Sequence, residues 1–171
     1  MKIVLLGYMA SGKSSVGRVL AQKINTVFID LDAYIEEKEE LTIAEIFATK
    51  GEIYFRKQEA LYVKKILTSN QNCVVSLGGG TPCYGDTMET LLHTNVTSIY
   101  LKATINTLAK RLQLEKEERP LVAELNQEKL VEYIGKHLFE RAPFYEQSTM
   151  KIQIDAKSIK AIVEEIEAQL L

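Results

Sequence analysis

The residues Gly7–Ser14 constrain this chain more than any other stretch, because they fit the phosphate-binding pattern G-x-x-x-x-G-K-[ST]. The apolar run Ile3–Leu6 precedes them, and a segment with apolar residues at helical spacing follows. This order of strand, glycine loop and helix is the context in which the pattern predicts a polyphosphate site. The loop amides and the positive end of the helix dipole can then surround a phosphate. The alternative is a glycine turn with a structural role only.

Each residue type within this loop suits one part of a magnesium nucleotide. Gly7 permits the sharp turn after the strand, and Gly12 lets the backbone approach a phosphate closely. Lys13 can reach the β- and γ-phosphates, and the Ser14 hydroxyl can ligate Mg²⁺. The loop residues predicted to bind the nucleotide are Ala10, Ser11, Gly12, Lys13, Ser14 and Ser15.

Strand-like apolar runs alternate with helical patterns along the whole chain. Further strands are predicted at 26–30, 73–77, 97–101 and 150–154. The alternation predicts an α/β fold, in which helices cover both faces of a parallel sheet. The 171 residues fit one domain. Because ligands of such sheets bind beyond the carboxyl ends of the strands, the residues after each strand are candidates for a site.

Charge and hydropathy exclude several classes of partner. The net charge of −2 argues against nucleic acid as the main partner, so the arginines are interpreted as local anion clamps. No apolar run approaches the length of a membrane span, and Ile3–Leu6 is too short for a signal peptide. Cys73 and Cys83 lack metal-site spacing and suit a reducing cytoplasm. We therefore expect a cytoplasmic protein that binds neither nucleic acid nor membrane.

Two carboxylates, Asp30 and Asp32, lie at the end of the second predicted strand. On extended backbone, a spacing of two points both side chains the same way. Asp30 is the better metal candidate, directly or through water, and Asp32 could accept the proton of a substrate hydroxyl. The alternative is that Asp32 caps the following helix, a role that can coexist with catalysis.

Glycines and arginines supply further candidates. Gly78–Gly80 follows a strand, and three glycines there indicate close approach by a ligand or another segment, or else a tight turn. Arg56, with Glu59 one helical turn later, and Arg141 could each bind a carboxylate bidentately. Arg119 lies in the charged stretch 114–124, predicted to be mobile, and could reach the phosphates. From spacing alone, each arginine also fits an ordinary solvated residue.

Together these motifs resemble, in the right order and over nearly the full length, those of the shikimate kinases. The matching motifs are Gly7–Ser14 with Val16-Gly17-Arg18, Asp30-Leu31-Asp32, Phe55-Arg56-Lys57-Gln58-Glu59, Gly78–Gly80, Arg119-Pro120-Leu121 and Arg141-Ala142-Pro143-Phe144-Tyr145. The resemblance implies a three-layer P-loop kinase fold with a five-stranded parallel sheet in the order 2-3-1-4-5. It also implies transfer of the γ-phosphate of ATP to the 3-hydroxyl of shikimate, on the route to chorismate and aromatic amino acids.

The resemblance further implies a role for each matching position. Lys13, Asp32 and Arg119 would be catalytic, with Asp32 binding the reacting hydroxyl and acting as base. Ser14 and Asp30 would hold Mg²⁺. ATP would also contact Arg111, which would stack on the adenine, and Arg119. The residues that would bind shikimate are Asp32, Arg56, Gly78, Gly79, Gly80 and Arg141. A single domain, 1–171, with a substrate-binding region at 32–62, a mobile lid at 113–125 and a monomeric state is expected.

Some features test this interpretation. The family often has glycine where this chain has Ala10, and alanine is expected to restrict that position to negative φ. The nearest rival is another small-molecule kinase, acting on gluconate or a nucleotide. A rival of another class is an ATP-binding module without activity, although Lys13, Asp32 and Arg119 are all present. A GTPase is disfavoured because the chain has no N-K-x-D motif.

Overall fold

Five parallel strands form a sheet in the order 2-3-1-4-5, numbered along the chain, which confirms the predicted strand order. This computed structural model describes residues 1–115, 122 and 124–170. The first strand pairs with the third on one side and the fourth on the other. The strands are β1 (Lys2–Leu6), β2 (Val27–Asp30), β3 (Cys73–Ser76), β4 (Thr97–Lys102) and β5 (Met150–Gln153).

Helices connect and cover these strands. The described helices are α1 (Lys13–Lys23), α2 (Leu31–Glu39), α3 (Ile43–Lys50), α4 (Glu52–Thr68), α5 (Thr87–His93), α6 (Ile105–Leu114), α7 (Gln127–Tyr145) and α8 (Ile159–Leu170). All four residues of β3 are buried, and so are Ile3–Leu6 in β1. Consecutive burial means that both faces of the central sheet are covered. None of the described helices is long and apolar enough to cross a membrane.

The junction of α3 and α4 follows directly from local sequence. Thr42 Oγ1 accepts a hydrogen bond from Glu45 N at 3.2 Å, and Thr42 N donates to Glu45 Oε2 at 2.8 Å. This capping box, which the Thr-x-x-Glu spacing favours, satisfies two amides that the first turn leaves without helical partners. Gly51 ends α3 and precedes α4 with φ +84°, in the left-handed region that glycine enters without strain. The two helices pack against each other and against α2, which in turn packs against β2.

Helix α7 is longer than its pattern indicates. The sequence predicts a helix over 127–140, but the structure continues it to Tyr145 through Pro143. Pro143 cannot donate the backbone hydrogen bond to the carbonyl four residues earlier, so α7 continues through its last turn without that bond. Arg141 therefore projects from a helix, with a direction fixed by the rest of α7.

The predicted lid, 113–125, falls largely on residues outside the described part of the chain. These include Arg119, whose proposed role over the phosphates stays a prediction.

Candidate active site

A cleft of about 460 Å³ opens beyond the carboxyl ends of the central strands. The loop after β1, the start of α2 and the loop after β3 form its walls, and Arg111 of α6 and Lys157 after β5 also line it. This is the position that a parallel sheet offers to ligands. Most of the candidate residues from the sequence meet in this one cleft.

The loop after β1 can only be built with glycine at its first position. A Cβ on Gly7 would lie 2.8 Å from Ser11 Oγ and 2.9 Å from the Leu101 carbonyl oxygen. Gly12 has φ +87° and stands immediately before α1. The loop therefore turns tightly and leads directly into α1. Its backbone amides lie beside the N-terminus of α1, as a phosphate-binding loop requires.

Ala10 adopts φ +60°, so the expectation of negative φ at this position is wrong. Ser11 N donates to the Tyr8 carbonyl at 3.2 Å, and this turn places Ala10 third of four residues. Turns with positive φ at the third position favour glycine, and the left-handed conformation costs another residue roughly 1–2 kcal/mol. Arg111 Nη1 donates to the Ala10 carbonyl at 3.1 Å and helps to hold it. The loop shape thus overrides the preference of alanine.

Lys13 lies inside the loop rather than on its outer surface. Its side chain is only 9% exposed, and Nζ donates to the carbonyls of Gly7 at 2.8 Å and Tyr8 at 2.9 Å. The loop carbonyls hold the ammonium group in the cleft. A positive charge in this position can stabilise negative charge that develops on a bound phosphate.

Asp30 and Asp32 do not share one stretch of extended backbone, so the predicted geometry is wrong. Helix α2 begins at Leu31, directly after β2, and Asp30 is its N-cap, accepting from Ala33 N at 3.4 Å. Asp32 therefore sits in the first turn, and the capping role considered for it belongs to Asp30. Both aspartates still line the cleft. Asp30 Oδ2 also accepts the Ser14 hydroxyl at 2.7 Å, which links β2 to the phosphate loop.

The carboxyl group of Asp32 has an unusual environment. Asp32 is exposed to solvent in the open cleft, but many protein atoms surround its carboxyl group and reduce its hydration. This desolvation, with the neighbouring charges of Asp30 and Glu59, raises the pKa of Asp32 to about 6, against the opposing effect of Lys13. A carboxylate with a pKa closer to neutrality is a better proton acceptor than an ordinary aspartate.

Two guanidinium groups meet the glycine loop after β3. A Cβ on Gly79 would lie 3.3 Å from Arg141 Nη1, and one on Gly80 would lie 3.1 Å from Arg56 Nη2. A Cβ on Gly78 would lie 3.3 Å from Asp32 Oδ1. Each glycine thus leaves room for a side chain that the sequence had singled out. The structure shows both close approach by other segments and a tight turn, in which Thr81 N donates to the Gly78 carbonyl at 3.1 Å. Binding of a ligand at this loop stays a prediction.

Hydrogen bonds fix the elements that carry these arginines. Arg56 Nη1 donates to Glu59 Oε2 at 3.0 Å, the contact predicted from their helical spacing. Glu59 is buried, and its other oxygen accepts the Thr81 hydroxyl at 2.6 Å. Tyr145, at the end of α7, donates its hydroxyl to the Gly79 carbonyl at 2.5 Å. Helix α4 is therefore hydrogen-bonded to the turn that follows the glycine loop, and α7 is hydrogen-bonded to the glycine loop itself.

Comparison with known proteins agrees with this geometry. A family model for shikimate kinase matches residues 9–171. The chain belongs to the shikimate kinase family. A shikimate kinase of Flavobacterium psychrophilum is 47% identical over 165 residues, which cover 96% of each chain.

Two solved structures extend the likeness to three dimensions. A shikimate kinase from Bacteroides thetaiotaomicron has a TM-score of 0.91 and 34% identity, covering 99% of this chain and 98% of its own. A shikimate kinase from Acinetobacter baumannii, in complex with shikimate, has a TM-score of 0.86 and 28% identity, covering 99% and 92%. The shikimate kinase fold therefore spans essentially the whole chain.

Sequence reasoning missed the aromatic contacts of this shikimate kinase cleft. Tyr8 is 1% exposed, and its hydroxyl lies 3.1 Å from Nδ1 of His137, which the sequence indicates only as an isolated helix or surface residue. The Arg141 guanidinium carbon lies 5.6 Å from the centre of the same Tyr8 ring. Tyr8 occupies a variable position of the phosphate-loop pattern, so no motif marks it. Its contact with α7 joins the phosphate loop to the helix that carries Arg141.

Proposed function

We propose that this protein transfers the γ-phosphate of ATP to the 3-hydroxyl of shikimate, giving shikimate 3-phosphate for chorismate and aromatic amino acid synthesis. One observation carries the proposal. A phosphate-binding loop and a carboxylate with a raised pKa line one cleft, and two arginines lie against the glycine loop that forms part of its wall. The shikimate complex of the Acinetobacter baumannii relative supports the choice of acceptor.

The nucleotide side of the site is assigned to the phosphate loop and to two arginines. The amides of Ala10–Ser15 surround the phosphates, and Lys13 stabilises charge on the β- and γ-phosphates. Arg111 reaches the loop through the Ala10 carbonyl, and this position suits contact with the nucleotide. Arg119 supplies a further positive charge from the lid, which closes over the bound substrates.

Phosphoryl transfer from ATP generally needs a divalent metal, and the proposed ion is Mg²⁺. The Ser14 hydroxyl and the Asp30 carboxylate meet at 2.7 Å beside the loop. These are hard oxygen ligands of the kind that Mg²⁺ prefers, so the two residues fit the ion and would hold it, Asp30 directly or through water. When bound, Mg²⁺ neutralises negative charge on the phosphate oxygens.

On the acceptor side, Arg56 and Arg141 hold the carboxylate while Gly78–Gly80 line the pocket. Asp32 takes the proton from the 3-hydroxyl of shikimate as the oxygen of that hydroxyl attacks the γ-phosphorus. A bond forms between that oxygen and phosphorus, and the bond from phosphorus to the β,γ-bridging oxygen breaks, releasing ADP. Little covalent chemistry is asked of the protein, because positioning and charge stabilisation carry most of the acceleration.

Oligomeric state and location belong to the same proposal. Every residue assigned to either substrate comes from one chain, so a monomer suffices for activity. Cys73 and Cys83 are both free thiols, which suits the cytoplasm.

The acceptor assignment predicts that Arg56→Lys and Arg141→Lys are both damaging although each keeps the positive charge. A lysine ammonium cannot reproduce the planar fork that binds a carboxylate through two hydrogen bonds. We expect each variant to raise KM for shikimate at least about tenfold, the loss of roughly one charge-assisted hydrogen bond. KM for ATP should stay within about twofold, as measured by steady-state ADP release.

Methyl shikimate, in which the carboxylate charge is masked, provides the matched control. The unmodified protein should use it poorly, and the two lysine variants should lose little further activity with it. An arginine variant in which ATP binding fails as much as shikimate binding would contradict the assignment of that arginine to the acceptor.

A further inference from the structure

We propose that Tyr84 is a positioning residue for the acceptor carboxylate, because its ring stacks on the guanidinium group of Arg56 and fixes its orientation. The inference rests on the proposed role of Arg56 as a carboxylate ligand. It assigns a function to a residue outside every motif found in the sequence.

The stacking is the closest cation–ring contact in the described part of the chain. The guanidinium carbon of Arg56 lies 4.1 Å from the centre of the Tyr84 ring and 5.2 Å from that of Phe55. Both distances fall within the range of favourable cation–π interactions. The position of a Cβ on Gly80 is 3.1 Å from Arg56 Nη2 and 3.4 Å from Tyr84 Cε2. The ring, the guanidinium group and the glycine backbone therefore meet at one point.

The polar contacts of Arg56 lie at the edge of its guanidinium group. Nη1 donates to Glu59 at 3.0 Å, and Nε lies 3.5 Å from Glu52 Oε1. Nε is buried and has no hydrogen-bond partner among the described residues. A bidentate contact with a carboxylate requires the plane of the fork to be set as well as its position. The Tyr84 ring, with its centre 4.1 Å from the guanidinium carbon, adds a contact away from this edge and helps to set that plane.

Local backbone structure holds Tyr84 in place without making it part of the core. Cys83 N donates to the Gly80 carbonyl at 2.9 Å, which closes the short turn Thr81–Cys83. Gly85 follows with φ +57°, in a turn at 85–86 that leads into α5. The side chain is 42% exposed and is absent from the buried core. Truncating it should therefore change the setting of Arg56 more than the stability of the fold.

The test compares Tyr84→Leu with Tyr84→Phe in steady-state kinetics for both substrates. Tyr84→Leu removes the aromatic face, and we expect KM for shikimate to rise about fivefold, the scale of an exposed cation–π contact. We expect kcat and KM for ATP to stay within about twofold. Tyr84→Phe keeps the face and should behave like the unmodified protein. Phe139→Leu, at a position of α7 that is 84% exposed, controls for loss of an aromatic side chain.

A double-variant cycle separates positioning from general disturbance. In an Arg56→Lys background, Tyr84→Leu should change KM for shikimate less than twofold, since the fork that it orients is absent. Additive effects, an unchanged KM in Tyr84→Leu, or equal damage in Tyr84→Phe would each overturn the proposal. If Arg56→Lys weakens shikimate binding but Tyr84→Leu does not, the proposed function stands and only the role of Tyr84 fails. Failure of the unmodified protein to phosphorylate shikimate would overturn both.

Discussion

Lys13→Ala will lower kcat by at least about 10²-fold while the protein remains folded. The ammonium group lies within the phosphate loop, held by the carbonyls of Gly7 and Tyr8, where it can stabilise charge on the transferring phosphate. Removing one such preorganised donor typically costs 10²–10³ in kcat. The loss should be seen in ADP release at saturating substrates.

Stability measurements decide whether that loss is catalytic. Lys13 lines the cleft and fills no part of the apolar core, so the melting temperature should change little. Lys110→Ala, which removes the same charge from the exposed surface of α6, is the matched control and should keep full activity. A kcat within twofold of the unmodified protein in Lys13→Ala would contradict the kinase assignment.

Asp32→Asn should lower kcat by about 10²–10⁴, the usual contribution of a positioned general base. The amide is nearly isosteric and can still contact the hydroxyl, but it cannot take the proton. Asp86→Asn makes the same chemical change at an exposed residue and should be neutral. Single-turnover measurement with both substrates bound separates this loss from weaker binding.

The same residue predicts the acid side of the pH profile. Because the pKa of Asp32 is raised to about 6, its carboxylate gains a proton as the pH falls through that value, and the base is lost. Activity measured as kcat/KM for shikimate should therefore be constant above about pH 7 and fall below about pH 6. The residual activity of Asp32→Asn should lack this acid limb. An acid limb that persists unchanged in the variant would assign it to another group.

The parallel sheet was predictable because it depends on patterns that repeat along the chain. Alternating apolar runs and helical segments predict parallel strands. The order 2-3-1-4-5 is implied only by the resemblance of the motifs to those of the shikimate kinases. The capping box at Thr42 and the break at Gly51 were predictable because a few adjacent residues determine each. The pairing of Arg56 with Glu59 likewise follows from helical spacing alone.

The remaining features depend on contacts between distant segments. Ala10 takes a positive φ because the turn around it demands one, against the preference of alanine. The start of α2 at Leu31 separates the two aspartates and makes Asp30, rather than Asp32, the residue that caps the helix. The stacking of Tyr84 on Arg56 joins residues on different elements without any motif. Such contacts leave no signal in the spacing of a single sequence.

The most direct test is to determine which acceptor the protein phosphorylates and at which hydroxyl. ADP release from Mg-ATP should be measured with shikimate, gluconate and a panel of nucleoside monophosphates, and the product examined by ³¹P and ¹H NMR. We expect turnover with shikimate to be at least about 10³-fold more efficient than with the other acceptors, since none of them presents a carboxylate and a hydroxyl in the same relative positions. The phosphorus should couple to the proton at carbon 3. Preferential turnover of gluconate or a nucleotide, or phosphate on another hydroxyl, would contradict the account.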